Sequence, residues 1–233
     1  MTDRAFDDFD AYAANYREIH SKNISFSGAE SSYFAEMKVA FLKRFEKNTP
    51  LKVLDVGCGD GLTELYFEKH FYDFKLTGID VSKKSIEVAK ERDLVAASFC
   101  HYNGRDIPFS DNSFELVFVA GVFHHINFDL HQSLLLEINR VLKKGGRLYF
   151  FEHNPINPLT KHLVKTCVFD EDAKLLPHQY SKKILKKGLF NILNSHFIIF
   201  LPRMPWVKRL LGIEKYLEWL PLGGQYLIRA QKL

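Results

Sequence analysis

Three glycines at alternate positions form the part of this sequence best suited to holding a ligand. Residues 55–61 read Asp-Val-Gly-Cys-Gly-Asp-Gly and lie between a predicted strand and a predicted helix. Because glycine has no Cβ, such a run allows a tight turn and close approach of the backbone to a bound molecule. A dinucleotide fingerprint would need a further glycine where this chain has Leu62, so the NAD pattern is missed by one residue.

Two acidic residues near this loop indicate what the ligand carries. Asp55 stands at the end of the first predicted strand, where a carboxylate repels a pyrophosphate and attracts an ammonium group. Asp80 ends the next strand, in the segment LTGID, and a carboxylate there can accept hydrogen bonds from both hydroxyls of a ribose. It could also cap the following helix, and the two roles are compatible. The pattern predicts a nucleoside with an amino-acid arm.

Four motifs in a fixed order give the sequence a family resemblance. VLDVGCGDG, TGIDVS, RDIPFSDNSFELV and HHI follow one another within residues 51–152. In this region the chain resembles the class I S-adenosylmethionine-dependent methyltransferases, in particular their small-molecule, type 11 group. The resemblance implies a Rossmann-like fold, S-adenosylmethionine as cofactor, and transfer of its methyl group to an oxygen or nitrogen of a small-molecule acceptor.

The resemblance also implies roles for single residues. Asp55 would approach the methionine ammonium, Asp80 would bind the ribose, and Asn103 would accept a bond from the adenine amino group where many relatives have aspartate. The implied cofactor-binding residues are Tyr16, Asp55, Gly57, Cys58, Gly59, Gly61, Asp80, Val81, Asn103, Gly104, Ala120 and His125. Taken alone, the glycine run would fit a plain strand-to-helix turn equally well.

Histidines that follow two predicted strands are the candidate catalytic residues. His124 and His125 come after the fourth strand and His153 after the fifth, at the carboxyl edge where open α/β sheets bind ligands. If the acceptor is a hydroxyl, His124 or His153 is the candidate general base, on position alone; a structural histidine is the alternative for each. Without HExxH or paired Cys/His spacing, we expect no metal site.

The elements that position these residues alternate from Lys52 onward. Short apolar runs and helical patterns follow one another, as expected of βαβ units around a parallel sheet. We predict an α/β, doubly wound, Rossmann-like sheet of seven strands, mostly parallel with an antiparallel last strand, plus an N-terminal helical extension. Residues 1–46 form that extension, in which Tyr12 and Tyr16 lie one helical turn apart as a lid or as packing residues. Residues 47–233 form the methyltransferase domain, elaborated on the substrate side at about 153–222.

The C-terminal part suggests how an acceptor is recognised. We predict a helix at 181–189, a strand at 195–202, a helix at 206–220 and a last strand at 225–232. Aromatic residues of the second helix, including Trp206 and Trp219, are expected to cover the substrate pocket, with membrane-surface binding the less favoured alternative. The segment EHNPINP, which holds Asn154 and Asn157, suits a hydroxyl-rich acceptor such as a sugar or a cell-surface polysaccharide precursor; a plain loop is the alternative.

Composition and charge exclude several other classes of protein function. The 233 residues carry a formal net charge of +4, which gives little support to a nucleic-acid partner, and the NPPY-type tetrapeptide of nucleic-acid methyltransferases is absent. No apolar run approaches the roughly 20 residues that span a bilayer, and three cysteines without CxxC spacing suit a reducing compartment. We therefore expect a cytoplasmic protein. A module that binds the cofactor or its demethylated product without turnover is the main alternative; the oligomeric state stays open.

Overall fold

A seven-stranded β-sheet organises the protein, with strand order β3-β2-β1-β4-β5-β7-β6. The computed structural model describes residues 31–46, 51–170, 172–201, 209 and 212–233. The strands are β1 (Leu51–Val56), β2 (Phe74–Asp80), β3 (Ala97–His101), β4 (Phe114–Ala120), β5 (Leu142–His153), β6 (Phe190–Ile198) and β7 (Gln225–Lys232). The helices are α1 (Ser31–Lys43), α2 (Leu62–His70), α3 (Lys83–Lys90), α4 (Phe128–Val141), α5 (Pro158–Thr166), α6 (His178–Lys187) and α7 (Glu214–Leu217). Two 3₁₀ turns lie at Phe123–His125 and Val168–Asp170.

The first five strands are parallel, and β7 runs antiparallel between β5 and β6. This arrangement confirms the predicted Rossmann-like sheet, mostly parallel with an antiparallel last strand. Because β1, β2, β4 and β5 point the same way, their carboxyl ends meet at one edge of the sheet. That edge carries the sequence-predicted site.

Both faces of the sheet are covered, which explains the continuous apolar run of β4. Val117 and Val119 face one core together with α4 and α6, whereas Leu116 and Phe118 face a second core together with α1 and α2. All four side chains are fully buried. Side chains alternate across a strand, so a central strand with two covered faces needs apolar residues at every position.

The end of α1 is fastened to the sheet by a buried carboxylate. Glu46 accepts hydrogen bonds from Arg147 Nε and from the Tyr149 hydroxyl, both at 2.7 Å. Within the helical extension predicted for residues 1–46, the structure describes α1, which packs against the sheet side that carries α2. The first helical pattern, with Tyr12 and Tyr16, lies outside the described residues.

The C-terminal part differs most from the prediction. Helix α6 begins three residues earlier than expected, and β6 begins at Phe190, directly after Leu189, which turns the chain with a positive φ of 65°. In place of a helix at 206–220, the described residues there hold 3₁₀ geometry at 209 and 212–213 and the short α7, and Trp206 lies outside them. Tyr216 and Trp219 are 68% and 74% exposed, so the expected aromatic cover over a pocket is wrong for these two residues.

The helices of the described part are short. The longest, α4, has 14 residues, and none there combines the length and apolar character that a bilayer-spanning helix requires.

Candidate active site

The loop after β1 lies against the ends of β2 and β4. The amides of Gly57 and Cys58 both donate to the Ile79 carbonyl, at 2.8 and 3.1 Å. A Cβ on Gly57 would lie 2.4 Å from Cγ2 of Val122, which follows β4. The loop thus closes tightly onto both neighbouring strands, and Gly57 is required for that closeness.

The three glycines of the loop all have a left-handed backbone, with φ of 81°, 55° and 74° at Gly57, Gly59 and Gly61. A Cβ on Gly61 would meet Phe99 and Ala89 at 3.0 and 3.1 Å. At Gly59, by contrast, no atom of the described residues lies within 4 Å of the Cβ position. Gly59 is therefore the point of the loop that a ligand can approach without displacing protein atoms.

Asp80, at the end of β2, holds this loop in place. Its Oδ2 atom accepts a hydrogen bond from the Gly59 amide and its Oδ1 atom accepts one from the Ser82 amide, both at 2.9 Å. Burial raises the pKa of the Asp80 carboxyl, and the hydrogen bonds from Ser82 and Gly59 oppose that rise. The cap of α3 is Ser82, whose hydroxyl accepts from the Ser85 amide, so Asp80 does not cap that helix directly.

A second carboxyl lies beside Asp55. Glu64, in the first turn of α2, is completely buried and lies beside Asp55, where the two carboxyls can share a hydrogen bond only if one of them keeps its proton. Burial raises the pKa of Asp55 to about 7, with the Asp80 charge adding to the rise while Glu64 and Lys38 oppose it. Burial and the Asp55 charge raise the pKa of Glu64 well above its usual value. At neutral pH the pair therefore holds a proton that an approaching cation could displace.

The turn after β3 carries Asn103 and Gly104. Asn103 Oδ1 accepts from the amides of Arg105 and Asp106, both at 2.8 Å, and Gly104 has a φ of 74°. The amide oxygen predicted to meet adenine is thus also the atom that shapes the turn. Arg140 of α4 holds the segment that follows this turn, since its guanidinium donates hydrogen bonds to the carbonyls of Phe109 and Ile107 at 2.8 and 2.9 Å.

The remaining predicted cofactor residues line the same edge. Ala120 ends β4, and Val81 follows β2 and packs partly buried against the core. Cys58 is buried beneath the loop, close enough to Gly78 that a Cβ there would approach its side chain to 2.8 Å. Burial raises the pKa of the Cys58 thiol well above its usual value, so this cysteine packs as an unreactive side chain. Tyr16 lies outside the described residues.

A cluster of histidines and carboxylates stands beside the loop, at the ends of β4 and β5. His124 Nδ1 lies 2.6 Å from Glu152 Oε2, and its Nε2 lies 3.6 Å from Asp170 Oδ1. The same Asp170 oxygen is 3.3 Å from His125 Nε2, and the His153 ring centroid is 5.1 Å from that of His124. We call these five residues the histidine cluster.

The surroundings of the three histidines in the cluster shift their pKa values in different directions. Burial acts to lower the pKa of His124, but Glu152 and Asp170 raise it to about 10. Burial and the neighbouring His124 charge lower the pKa of His125 to about 3 and that of His153 to about 4. Burial acts to raise the pKa of Asp170, yet His124 holds it well below its usual value. The two carboxylates thus favour the protonated form of His124, whereas burial and the His124 charge favour the neutral forms of His125 and His153.

Comparisons with known proteins place this chain in a family. A family model for a methyltransferase domain of the type 11 group matches residues 54–150. An uncharacterized protein of Methanocaldococcus jannaschii is 30% identical over 212 residues, which cover 86% of each chain. The demethylmenaquinone methyltransferase of Thermotoga maritima is 36% identical over 108 residues, 46% of each chain. The chain belongs to the class I S-adenosylmethionine-dependent methyltransferases.

Solved structures support the same fold for this methyltransferase. A Haloferax volcanii protein in complex with the Trm112 methyltransferase activator superposes with a TM-score of 0.69 at 23% identity, covering 96% of each chain. A Thermotoga maritima protein described as a possible histamine N-methyltransferase gives a TM-score of 0.71 at 18% identity, covering 98% of this chain and 100% of that one. Members of the family use S-adenosylmethionine.

Three residues of the methyltransferase site escape sequence reasoning. Glu64 looks like an ordinary first-turn acid of α2, and only the packing of that helix reveals its burial beside Asp55. Glu152 and Asp170 approach His124 from 28 and 46 residues away, and no spacing in the sequence marks such contacts. Glu152 does come directly after the apolar run at 148–151 within a predicted central strand, which is the one signal that could have singled it out.

The asparagines of the EHNPINP segment serve the fold of the methyltransferase. Asn154 is fully buried and donates to the carbonyls of Pro221 and Gly223 at 3.1 and 2.8 Å. Asn157 caps α5 by accepting from the Thr160 amide, and its Nδ2 donates to the Leu222 carbonyl. The expectation that they recognise a hydroxyl-rich acceptor is wrong, because both amides are engaged within the protein.

Proposed function

We propose that this methyltransferase transfers a methyl group from S-adenosylmethionine to an oxygen or nitrogen atom of a small-molecule acceptor. The observation that carries the proposal is the geometry of the loop after β1, where Gly59 faces open space and donates its amide to Asp80. The histidine cluster stands at the same sheet edge. In this proposal the loop after β1 binds the cofactor. The acceptor binds on the side of the site where the histidine cluster lies.

The residues around the loop fit the chemistry of S-adenosylmethionine. Asp80 offers carboxylate oxygens to the ribose hydroxyls, as its place at the end of β2 favours. Apart from the contact with Asp55, neither oxygen of Glu64 has a hydrogen-bond partner within the described part of the chain, so the Asp55–Glu64 pair would be stabilised by the methionine ammonium. The glycines 57, 59 and 61 and the residues Cys58, Val81, Asn103, Gly104, Ala120 and His125 complete the proposed cofactor site, with Tyr16 assigned by resemblance.

The protein contributes mainly orientation. The bound cofactor supplies an electrophilic methyl group on its sulfonium. Holding the acceptor atom in line with that group in a closed site can lower the barrier by about 7 to 11 kcal/mol, whereas a general base typically contributes about 10²- to 10⁴-fold in rate. We therefore expect substitutions that misplace either ligand to cost more turnover than loss of a base.

The two histidines proposed as the general base differ in geometry. Both ring nitrogens of His124 face carboxylates, one at 2.6 Å and one at 3.6 Å, which leaves no nitrogen of this ring directed at an acceptor. His153, at the end of β5, is the better candidate for taking a proton from an acceptor hydroxyl. His153→Gln should lower kcat for such an acceptor with little effect on cofactor affinity; an unchanged kcat would remove the base from the mechanism.

The acceptor is proposed only as a small molecule with a nucleophilic oxygen or nitrogen. The internal bonds of Asn154 and Asn157 withdraw the support for a sugar or polysaccharide precursor. The chain spans less than half of the demethylmenaquinone methyltransferase that it matches, so that substrate is not carried over. A nucleic-acid acceptor and contact with a membrane surface have no support among the observations above. We place the protein in the cytoplasm because its three cysteines, all within the described residues, form no disulfide.

The test is a methyl-transfer assay that measures S-adenosylhomocysteine formation against a panel of hydroxyl and amine acceptors. If the wild-type protein turns over any of these acceptors and the Asp80→Asn variant loses that turnover, the protein is an enzyme that uses this site. The Haloferax volcanii relative forms a complex with an activator, so each reaction is run with and without a protein of the Trm112 type. Cofactor binding without turnover under both conditions would favour the alternative, a module that binds S-adenosylmethionine or its product as a partner or sensor.

A further inference from the structure

Three side chains of the histidine cluster converge in the manner of metal ligands. His124 and His125 come from the 3₁₀ turn after β4, and Asp170 comes from the turn after α5. One ligand atom from each residue lies within 4.8 Å of the other two. The shared Asp170 oxygen is 3.6 Å from Nε2 of His124 and 3.3 Å from Nε2 of His125.

These separations match what a common ion requires. Nitrogen and oxygen ligands at about 2.0 to 2.2 Å from a metal, in tetrahedral or octahedral geometry, lie about 2.8 to 3.6 Å apart. Both measured separations fall within this range. Two of the three ligand pairs are therefore already at the separation that a shared ion needs, and all three ligand atoms lie within 4.8 Å of one another.

The outer contacts of His124 provide an independent second observation. Its Nδ1 atom is 2.6 Å from Glu152, a carboxylate that is itself fixed by the Phe123 amide at 2.8 Å. A metal-binding histidine almost always donates its second ring N–H to a carboxylate, carbonyl or water, which orients the ring and selects the tautomer. On binding, an ion would replace the proton of Nε2, which faces Asp170, while Nδ1 would keep its proton toward Glu152.

The turn that carries both histidines is also held rigidly. His131 of α4 is fully buried, and its Nε2 lies 2.9 Å from the Phe123 carbonyl and 3.1 Å from the Ile126 carbonyl. Its Nδ1 lies 3.1 Å from the Tyr180 hydroxyl. Ligand positions set by a second layer of contacts in this way lower the cost of organising a site when an ion arrives.

We propose that His124, His125 and Asp170 form a binding site for a divalent first-row transition-metal ion such as Zn²⁺, Co²⁺ or Mn²⁺. Two imidazoles with one carboxylate suit these ions better than Mg²⁺ or Ca²⁺, which prefer oxygen ligands. Three protein ligands leave at least one position for water or for an oxygen or nitrogen of a second molecule. We infer that this second molecule would be the methyl acceptor, an inference that rests on the proposed function.

The site's position supports this role. Gly121, between β4 and the histidines, would bring a Cβ to 3.6 Å from the His124 ring, and the adjacent Val122 touches the cofactor loop at Gly57. An ion here would lie beside the proposed cofactor and at the end of β5, where His153 stands. Coordination by the ion would orient the acceptor atom and lower its pKa, which are two functions of metal ions in catalysis.

The test measures metal binding in the absence of S-adenosylmethionine, so it is independent of methyl transfer. The full chain, without a histidine tag and stripped with a chelator, is titrated calorimetrically with Zn²⁺ and Mg²⁺, and with Co²⁺ while visible absorption is recorded. We expect one Zn²⁺ or Co²⁺ per chain, with Co²⁺ absorption typical of nitrogen and oxygen ligands, and weaker binding of Mg²⁺. If neither Zn²⁺ nor Co²⁺ binds with one ion per chain, whatever Mg²⁺ does, the proposal is overturned.

Variants distinguish this site from adventitious binding to the ten histidines of the chain. Asp170→Asn should weaken binding of Zn²⁺ and Co²⁺ at least tenfold, and Glu152→Gln by about 10- to 100-fold, the usual effect of losing an outer-shell partner. His125→Ala serves if Asp170→Asn fails to fold, because the His125 side chain is 17% exposed. The matched control is His162→Ala on the exposed surface of α5. Equal affinity in all variants would show an adventitious ion only.

Discussion

The buried carboxyl pair of Asp55 and Glu64 makes cofactor affinity depend on pH. Burial raises the pKa of Asp55 to about 7 in the ligand-free protein. A cationic ammonium group binds the ionised carboxyl more tightly than the neutral one, so binding must displace a proton when the pH is below that pKa. Affinity should therefore fall as the medium becomes more acidic.

The size of the effect follows from the pKa. For a group with a pKa near 7, the ionised fraction falls from about one half at pH 7 to about 3% at pH 5.5, which corresponds to a roughly 15-fold loss of affinity or about 1.6 kcal/mol. Over this range the amino group of the ligand stays protonated, because α-amino groups titrate near pH 7.7 to 8.0. The loss thus reports on the protein carboxyl.

The assay is calorimetric titration of S-adenosylhomocysteine, which keeps the ammonium group and the ribose, at pH 5.5, 6.2 and 7. Repeating it in buffers of different ionisation enthalpy measures proton release directly. Asp55→Asn should bind more weakly at pH 7 and lose the pH dependence. Glu64→Gln is the matched control, because its amide can donate to Asp55 as the protonated Glu64 does, and it should keep the dependence.

Two results would refute this reasoning. Equal wild-type affinity at pH 5.5 and 7, with no proton release, would mean that the ammonium does not meet this pair. The second result is a pH dependence of the affinity that survives in Asp55→Asn and disappears in Glu64→Gln. It would assign the ammonium to Glu64 and contradict the role given to Asp55.

Three further predictions concern single side chains. Gly59→Ala has open space for its methyl group and only left-handed backbone strain, so it should destabilise the fold by about 1 to 2 kcal/mol while weakening the cofactor at least tenfold; wild-type affinity by calorimetry would move the cofactor away from this glycine. Asp80→Asn should raise the Kd for S-adenosylmethionine about 10- to 100-fold, since one hydrogen bond to a charged group is worth about 1.5 to 3 kcal/mol, and an unchanged Kd would argue against the ribose contact. Glu64→Gln should raise the free energy of unfolding at pH 8 and leave it nearly unchanged at pH 4, because the folded-state pKa of Glu64 lies above its unfolded value and that stability is lost as pH rises; urea unfolding at both pH values tests it, and a lower stability at pH 8 would contradict it.

The parts of the fold set by local patterns were predictable from sequence. The apolar run of β4 and the alternation of strands with helices correctly indicated a parallel sheet covered on both faces. The position of Gly57, Gly59 and Gly61 between a strand and a helix correctly indicated a tight turn, and the structure adds that all three have a left-handed backbone. These features depend on residues close in sequence, so the chain carries their signal locally.

The parts that depend on distant contacts were not predictable. Strand β6 lies at an edge of the sheet, where exposed polar residues such as Asn191 interrupt the apolar pattern and hid its first half. Asn154 and Asn157 were assigned to an acceptor because nothing in the sequence shows the turn near Leu222 that engages them. The convergence of Asp170 with His124 likewise arises from the fold, which is why spacing rules for metal ligands gave no sign of it.

The central claim is that the loop after β1 binds S-adenosylmethionine, and calorimetric titration of the purified chain tests it most directly. S-adenosylmethionine and S-adenosylhomocysteine should each bind with one site per chain, and NAD should give no binding heat, because Leu62 stands where its fingerprint needs glycine. Binding of NAD in preference to both, or of none of the three, would contradict the account.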